Sequence, residues 1–269
     1  MHPVDFSYSA PTSVAEVCAE LSDEPGRACL LAGGMSLMPQ LVRRVMRPQR
    51  LIDIARIDSL RQVASTGDGL RVGAAVTQRT LERSAELTGY DLLRQALPRI
   101  GTVPTRNRGT IGGSLAHADP AAQLGVCLVA LGGELVATSN SGSRRIPATD
   151  FFRHPYRTAL RTDELLTEVL FARPARGTVS YFESVSLRGI GDPPLLSVAL
   201  LAHPRADAPP RLVVGGAGQS PTRVPVDVTD AVAEFLHFDG NTRAGAAHRR
   251  RLAAHTVARL LRRFREEVR

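Results

Sequence analysis

The sequence predicts an α+β fold in three parts. Apolar runs and a helical spacing of apolar residues alternate at the start of the chain, which favours a small β–α–β unit. From residue 57 short strands and turns predict a mixed sheet. After a linker at 173–177, alternating strands predict an antiparallel sheet followed by a helical bundle. We therefore divide the chain into residues 1–56, 57–172 and 177–269.

The first part contains two predicted helices, each next to a strand. Thr12 or Ser13 can cap the first helix, and Pro25-Gly26 ends it. Ser36 can cap the second helix, which we expect to continue to Arg47-Pro48. The strands expected in this part are 28–32 and 51–54.

The second part is predicted to begin with a hairpin around the turn Gly67-Asp68-Gly69. A helix is expected at 80–87, and the glycine-rich segment 101–120 is interpreted as a loop. Asp119 is expected to cap a helix that begins at Pro120. Further strands are predicted at 134–138 and 164–171.

The third part is predicted to combine three strands with a long terminal helix. The strands are expected at 179–187, 195–202 and 212–216. In the terminal helix one apolar stripe should face the core; it consists of Ala253, Val257, Leu260, Leu261, Phe264 and Val268.

Composition excludes several classes of protein. The chain has 269 residues, 43% hydrophobic and 22% charged, which is typical of a folded globular protein and not of a disordered or fibrous one. No apolar run approaches the roughly 18 residues needed to span a bilayer, so we expect a cytoplasmic protein without integral membrane association. Three widely spaced cysteines predict neither a disulfide framework nor an iron–sulfur or other metal site.

Positive charge is concentrated at the end of the chain. The formal net charge is +8 and every cation is arginine. Residues 243–269 hold nine arginines against Glu266 and Glu267. This segment is either a solvated helix face or a docking surface for an acidic partner subunit. With no tryptophan and only 4% aromatic residues, nucleic-acid binding is not expected.

Two segments have the same design: Ala32-Gly33-Gly34-Met35-Ser36 and Thr110-Ile111-Gly112-Gly113-Ser114. Adjacent glycines permit positive φ and close approach of a ligand, so successive N–H groups can converge on an anion. In the first segment the following helix would add its N-terminal amides. Both segments predict phosphate-binding loops, although either could be only a tight turn. The chain has no GxGxxG motif and, lacking lysine, no Walker A loop.

Together and in this order, the motifs resemble those of a known family. The segment LLAGGMSLMPQLVRRVMRPQRLIDIARI is similar to the first cofactor loop and the following strand of the FAD-binding medium subunit of molybdenum hydroxylases, a PCMH-type flavoprotein. The segment IGTVPTRNRGTIGGSLAHADPAAQL is similar to that family's second loop. The later segments YFESVSLRGIGD, GGAGQSPTRVP and HRRRLAAHTVARLLRR extend the resemblance over essentially the whole chain. The family includes carbon monoxide dehydrogenase and the bacterial xanthine and aldehyde dehydrogenases.

The resemblance implies an oxidoreductase subunit for electron transfer with no catalytic or metal-ligating residue of its own. In this family a large molybdopterin subunit hydroxylates the substrate and a small subunit carries two [2Fe-2S] clusters. The medium subunit passes the electrons through FAD to an external acceptor, within a heterotrimeric unit. We expect the FAD to be non-covalent because neither glycine segment contains His or Cys.

The resemblance also implies which residues lie at the FAD. Residues 32–36 and 110–114 would hold the diphosphate through their N–H groups and the hydroxyls of Ser36, Thr110 and Ser114. Asp119, Leu165 and Ile100 would lie near the ribityl, isoalloxazine or adenine groups. His117 is either a donor to the cofactor or an ordinary loop histidine. The full set is Leu31, Ala32, Gly33, Gly34, Met35, Ser36, Leu37, Ile100, Thr110, Ile111, Gly112, Gly113, Ser114, His117, Asp119, Leu165 and Glu183.

The sequence departs from the family pattern at a few positions. Met35 stands where His, Gln or Thr is frequent, and Gln123 replaces a frequent acid. Glu183 stands where several relatives have a lysine near the flavin, which would reverse the local charge. Pro193-Pro194 interrupts a usual motif, and His248 replaces a frequent tyrosine.

Two other functions stay open. A stand-alone flavoprotein oxidoreductase would need its own substrate pocket with an acid or base, and no such group of residues stands out. An interaction protein that has lost its flavin would use the basic terminal helix, and the intact glycines of both segments argue against it.

Overall fold

A computed structural model describes residues 3–23, 25–204, 209–216, 220–226, 235–240 and 243–268. Its strands form three main sheets and one small hairpin. No helix in these ranges is long and apolar enough to cross a membrane.

The first sheet is parallel, with strand order β1-β3-β2. The first helix packs Val17, Cys18 and Leu21 into the core, and Ser13 caps it by accepting from the N–H of Glu16 at 3.2 Å. The strand positions agree with the prediction. The elements are β1 (Ser7–Ser9), α1 (Val14–Asp23), β2 (Ala28–Leu31), α2 (Leu37–Val42) and β3 (Arg50–Asp53).

The helix α2 is shorter than predicted. It ends at Val42, because Arg44 adopts a left-handed conformation (φ 58°) that stops the helix before Arg47. Ser36 occupies the cap position but its side chain makes no capping hydrogen bond, so this part of the prediction was wrong.

The second sheet is antiparallel and has the order β4-β5-β10-β6-β7. Its strands are β4 (Val63–Ser65), β5 (Gly69–Gly73), β6 (Glu134–Ser139), β7 (Gly142–Pro147) and β10 (Leu165–Ala172). The intervening helices are α3 (Gln78–Glu82), α4 (Asp91–Ala96), α5 (Val103–Arg108), α6 (Ile111–His117), α7 (Gln123–Leu131) and α8 (Ala148–Phe151). A small hairpin is formed by β8 (Phe152–His154) and β9 (Arg157–Thr158).

The glycine-rich segment is helical, contrary to the prediction. It contains α5 and α6, and Thr110 caps α6 through a hydrogen bond from the N–H of Gly113. Asp119 does not cap α7: its carboxylate accepts from the N–H of Ala121 in a turn before the helix, whose cap position is Ala122. Residues 58–61 form a 3-10 turn, and the helix predicted at 80–87 is divided between α3 and a 3-10 turn.

The first two parts of the chain share one core. Leu165 of β10 and Ala75 after β5 pack with α1 and β3. The Sγ of Cys18 also lies 3.5 Å from the carbonyl oxygen of Thr138. The proposed boundary near residue 56 therefore crosses a continuous apolar cluster.

The third sheet is antiparallel with helices on both faces. The helix α9 packs Ala253, Val257, Leu260 and Leu261 against one face, as the apolar stripe predicts. The opposite face contacts α7 and belongs to the core of the second sheet. The part of the predicted helical bundle at 227–234 lies outside the described residues. The elements are β11 (Val179–Val185), β12 (Leu196–Ala202), β13 (Arg211–Gly215), β14 (Thr222–Val224) and α9 (Ala246–Val268).

Candidate functional site

A cleft of about 620 Å³ lies where β2, the α5–α6 junction and the start of β10 meet. This volume is within the range of small-molecule and cofactor sites. The segment Gly191–Pro194, from the loop between β11 and β12, forms another part of its wall. Of the residues predicted from the sequence, the cleft is lined by Ala32, Gly33, Gly34, Met35, Ser36, Leu37, Ile100, Thr110, Gly112, Gly113, Ser114, His117, Asp119 and Leu165.

The first glycine segment touches the backbone just before the second one in this cleft. A Cβ on Gly33 would lie 2.0 Å from the carbonyl oxygen of Arg108, so only glycine fits between the two backbones. Gly34 has φ 74°, the left-handed region where glycine is favoured. Glycine is therefore required at Gly33 by a close backbone contact and favoured at Gly34 by the backbone conformation.

The first segment offers unused amides. No described residue accepts a hydrogen bond from the N–H groups of Gly33 to Leu37, while Met38 N–H closes the turn onto the carbonyl oxygen of Gly34 at 3.0 Å. Consecutive free N–H groups beside a left-handed glycine form an anion-binding concavity. The exposed hydroxyl of Ser36 adds a further donor at the cleft.

The second segment differs from the first, and the prediction of a matching amide cradle was wrong there. The N–H groups of Ile111 and Gly112 donate to the carbonyl oxygens of Val76 and Ala74, both at 2.9 Å. Those of Gly113 and Ser114 donate to Thr110, to Oγ1 at 3.0 Å and to the carbonyl oxygen at 3.1 Å. All four amides are thus engaged within the protein.

The glycines of the second segment serve close packing instead. A Cβ on Gly112 would lie 2.4 Å from the Cβ of Ala74, so the helix could not approach β5 as it does. Gly113 faces the cleft and is exposed, which leaves the backbone bare to a ligand. What this segment offers is an open backbone surface together with the hydroxyls of Thr110 and Ser114.

Gln78 is a cleft residue that the sequence analysis missed. It is 4% exposed, and its Oε1 has no hydrogen-bond partner among the described residues. A buried acceptor without a partner costs free energy unless a ligand donates to it. Neither its residue type nor its position in the sequence indicates a site residue, because its burial depends on the packing of α3 against α5.

A cluster at the rim joins two predicted residues to one that was not predicted. The rings of His117 and Tyr156 lie 5.2 Å apart, and the Tyr156 hydroxyl lies 3.4 Å from Oδ1 of Asp119. Tyr156 and Ala118 are both left-handed, with φ 59° and 49°, and the Tyr156 N–H donates to the Ala118 carbonyl oxygen at 2.9 Å. Tyr156 stands in the turn of the β8–β9 hairpin, where His154 pairs with Arg157, and its positive φ belongs to that turn.

The wall formed by Ile100 and Gly101 is held by a buried arginine. Arg106 is 5% exposed and donates to the carbonyl oxygens of both residues, at 2.9 and 3.3 Å. Its Nε also donates to the carboxylate of Glu82 at 2.8 Å. Desolvation raises the pKa of Glu82, but the hydrogen bonds from Arg106 and Arg79 outweigh it and hold this pKa below the usual value.

The charge in the cleft is small. Among the described lining residues no arginine occurs, and the acidic ones are Asp119 and Asp192. Asp192 is paired with Arg188 at 2.9 Å and with Arg243 at 2.6 Å, and the hydrogen bond from Arg188 lowers its pKa. An anion would therefore be held by amides and hydroxyls, not by cationic side chains.

Three of the predicted residues do not line the cleft. Leu31 belongs to β2, where its carbonyl oxygen accepts from the N–H of Ile54, and Ile111 is fully buried. Glu183 points away, because side chains alternate along β11, and its carboxylate pairs with Arg259 of α9. The neighbouring Ser184 accepts from Nε2 of Gln123, a residue that lines the cleft, at 3.0 Å.

No group of His, Cys, Asp and Glu that could hold a metal ion occurs among the described residues. The cleft instead combines free amides, hydroxyls, a buried amide acceptor and an apolar wall that includes Leu160, Leu165 and Leu166. These features define a protein that binds a cofactor with a phosphate-containing part and an aromatic part.

Comparisons with known proteins are consistent with this class. A family model described as the FAD binding domain in molybdopterin dehydrogenase matches residues 4–173. Caffeine dehydrogenase subunit beta of Pseudomonas sp. (strain CBB1) is 30% identical over an alignment of 288 positions, which covers 100% of this chain and 97% of that protein. The nicotine 6-hydroxylase medium subunit of Paenarthrobacter nicotinovorans is 36% identical over 223 residues, 81% of this chain and 77% of that protein.

A solved structure is similar over almost the full length. Carbon monoxide dehydrogenase from Hydrogenophaga pseudoflava, in a form that lacks the Mo-pyranopterin moiety, matches with a TM-score of 0.90 and 29% identity. The match covers 96% of each chain. The chain belongs to the family of FAD-binding domains of molybdopterin dehydrogenases and is an FAD-binding oxidoreductase subunit. The predicted family, fold class, cofactor and electron-transfer role are confirmed, and the chain is one subunit of a larger complex.

Proposed function

We propose that this chain receives electrons from the [2Fe-2S] clusters of a small partner subunit and passes them, through FAD held in the cleft, to an external acceptor. Substrate hydroxylation then belongs to a molybdopterin-binding large subunit. The observation that carries the proposal is the meeting of both glycine segments in one cleft with unused amides.

The residues present fit FAD. The amides of Gly33 to Leu37 and the Ser36 hydroxyl would hold the diphosphate from one side, and the hydroxyls of Thr110 and Ser114 would hold it from the other. Gln78 lines the cleft, and a small rotation of its side chain towards the cofactor would give the unpartnered Oε1 a donor. When bound, FAD supplies the chemistry of accepting and giving electrons, while the protein orients it and excludes water.

The two carboxylates that line the cleft are both engaged within the protein, which fits a site that holds a cofactor. Asp192 is neutralised by two arginines, and Asp119 accepts hydrogen bonds from Ala121 and Tyr156. The relatives are named for caffeine, nicotine and carbon monoxide, three very different compounds. We therefore assign the choice of substrate to another subunit.

A matched pair of variants at Gly34 tests the site. Gly34→Asp places a negative charge among the free amides, and Gly34→Asn adds nearly the same volume without charge. Both residues tolerate the left-handed backbone better than other side chains do. We expect Gly34→Asp to purify with little FAD and Gly34→Asn to keep most of it, measured by flavin absorbance.

Acid precipitation of the wild-type protein tests the non-covalent mode. Cys29 and His117 line the cleft, but burial raises the pKa of the Cys29 thiol and disfavours its reactive form. We expect all flavin to appear in the supernatant. Equal loss of FAD in both Gly34 variants, or flavin that stays with the precipitate, would contradict the proposal.

A further inference from the structure

The helix α2 and the turn after it expose an apolar surface beside the cleft. Leu41 is 1% exposed and anchors the element, while the opposite face of the segment points outwards. Exposed arginines lie next to this face. We call the following residues the α2 patch: Met35, Met38, Val42 and Val45, which are 42, 40, 40 and 72% exposed, with Arg43, Arg44 and Arg47.

The end of α2 is built in a way that keeps Val45 at the surface. The N–H of Val45 donates to the carbonyl oxygen of Gln40 at 2.9 Å, and that of Arg44 donates to Leu41 at 3.0 Å. This is the Schellman motif, in which the left-handed position usually holds glycine and the next residue packs back onto the helix. Here the left-handed residue is Arg44, and Val45 stays 72% exposed. The turn presents an arginine and a valine together.

We propose that the α2 patch is the docking surface for a partner subunit of the complex, whose matching face is apolar and edged by carboxylates. The inference rests on the proposed function, which requires partner subunits. Residues 34–48 contain three arginines and no acidic residue, so an acidic edge would be complementary. Methionine and arginine are also enriched at protein interfaces.

Other occupants fit this surface less well. In a symmetric dimer the patch would face a copy of itself, which would bring six arginines together without an acid between them. A membrane-binding helix carries Trp, Phe or Leu opposite its basic face, often over many turns, whereas α2 has six residues and the exposed apolar residues are Met and Val. A protein partner is therefore the favoured occupant.

The α2 patch is continuous with the cleft. Met35, Leu37 and Met46 line the cleft near the first glycine segment. A partner seated on the patch would cover this entrance and slow the release of FAD. Docking should thus be visible both in the composition of the complex and in cofactor exchange.

The test uses the full-length chain, tagged and purified with its complex from its own host. Molybdenum and iron per FAD report the two partner subunits. Met38→Ser/Val45→Ser and Arg43→Glu/Arg47→Glu change only the patch. Arg251→Glu/Arg262→Glu reverses two exposed arginines of α9 and is the matched control for charge.

We expect both patch variants to keep FAD but lose molybdenum or iron by at least about tenfold, the scale of an interface hot spot. FAD release from these variants should be as fast as from the free subunit, and the α9 control should resemble wild type. Patch variants with wild-type metal content, or loss confined to the α9 control, would overturn the docking surface. A wild-type chain with FAD but never molybdenum or iron would instead overturn the proposed function itself, and the docking surface with it.

Discussion

At the scale of single residues, Gln78 carries a buried polar atom that the described protein leaves without a partner. Its own N–H donates to the carbonyl oxygen of Gly109 at 2.8 Å, so its backbone is fixed beside the second glycine segment. Gln78 lines the cleft, and its side-chain Oε1 is buried without a hydrogen-bond partner among the described residues. Such an acceptor stabilises a ligand that donates to it and penalises the empty protein.

Replacement of Gln78 by methionine should separate these two effects. Because the lone acceptor disappears, we expect the free energy of unfolding of the FAD-free protein to stay unchanged or rise by about 1 kcal/mol. The affinity for FAD should fall by about tenfold, which corresponds to one lost hydrogen bond. Urea denaturation and flavin titration measure the two quantities. Unchanged affinity with lower stability would mean that Gln78 serves only the fold.

At the scale of elements, an ion pair between a half-exposed arginine and a buried glutamate joins β7 to the segment before β10. The Nε and Nη2 of Arg144 donate to the two carboxylate oxygens of Glu164 at 2.6 and 2.9 Å. The N–H of Arg161 donates to the same carboxylate, and Arg144 also reaches the carbonyl oxygen of Ala159. The hydrogen bonds from Arg144 are the main reason why the pKa of Glu164 is lowered.

This pair predicts a dependence of stability on pH. Since the folded pKa of Glu164 lies below the unfolded value of 4.5, the pair stabilises the protein above that pH and loses its effect as the pH falls through the folded pKa. Glu164→Gln should cost about 2 kcal/mol at neutral pH and progressively less in acid. Glu134→Gln, which breaks the exposed pair with Arg145, should cost at most about 0.5 kcal/mol. Urea denaturation from neutral pH to below pH 4.5 measures the stability lost in each variant. Equal losses in Glu164→Gln and Glu134→Gln would contradict the stabilising role of the Arg144–Glu164 pair.

The strands could be predicted because their apolar residues alternate or run together, as in β10 and β12. The helices α5 and α6 could not, because Gly112 and Gly113 have low helix propensity and the helix depends on close packing against Ala74. The early end of α2 was also hidden, since nothing in the local sequence marks Arg44 as left-handed. In α6, local propensity gave way to a tertiary contact.

The same limit applies to the site. Most of the residues predicted for the site do line the cleft, because short glycine motifs encode backbone shape directly. Gln78 and Tyr156 were missed, since Gln78 is buried by the packing of α3 against α5 and Tyr156 contacts His117 and Asp119 from a distant hairpin. Glu183 was expected near the cofactor from the family resemblance alone, whereas its carboxylate pairs with Arg259 of α9.

At the scale of the whole molecule, one face of the third sheet is part of the hydrophobic core of the second sheet. Phe182, Ala199 and Val213 belong to the same apolar cluster as α7 and the second sheet. A Cβ on Gly215 would lie 2.5 Å from the side chain of Val126, which shows how closely α7 approaches β13. The sequence linker at 173–177 therefore separates two sheets that complete one core.

A chain shortened after residue 173 tests this arrangement. Although the family model ends there, the removal of the third sheet would uncover α7, all of whose residues are buried. We expect the fragment to aggregate or to bind hydrophobic dyes, whereas the full chain unfolds in a single transition. Calorimetry and dye fluorescence distinguish the cases. A soluble fragment with its own cooperative unfolding transition would show that the first two parts of the chain fold without the third.

The contact between Gly33 and Arg108 affects whether preserved glycines in a relative indicate that it binds FAD. A methyl group at Gly33 is excluded by the protein's own backbone, before any cofactor arrives. A homologue that had discarded flavin during evolution would still need glycine there, and also at the position of Gly112. When relatives are compared, the informative feature is therefore whether the N–H groups from Gly34 to Leu37 stay free in the structure. The number of preserved glycines does not report cofactor binding.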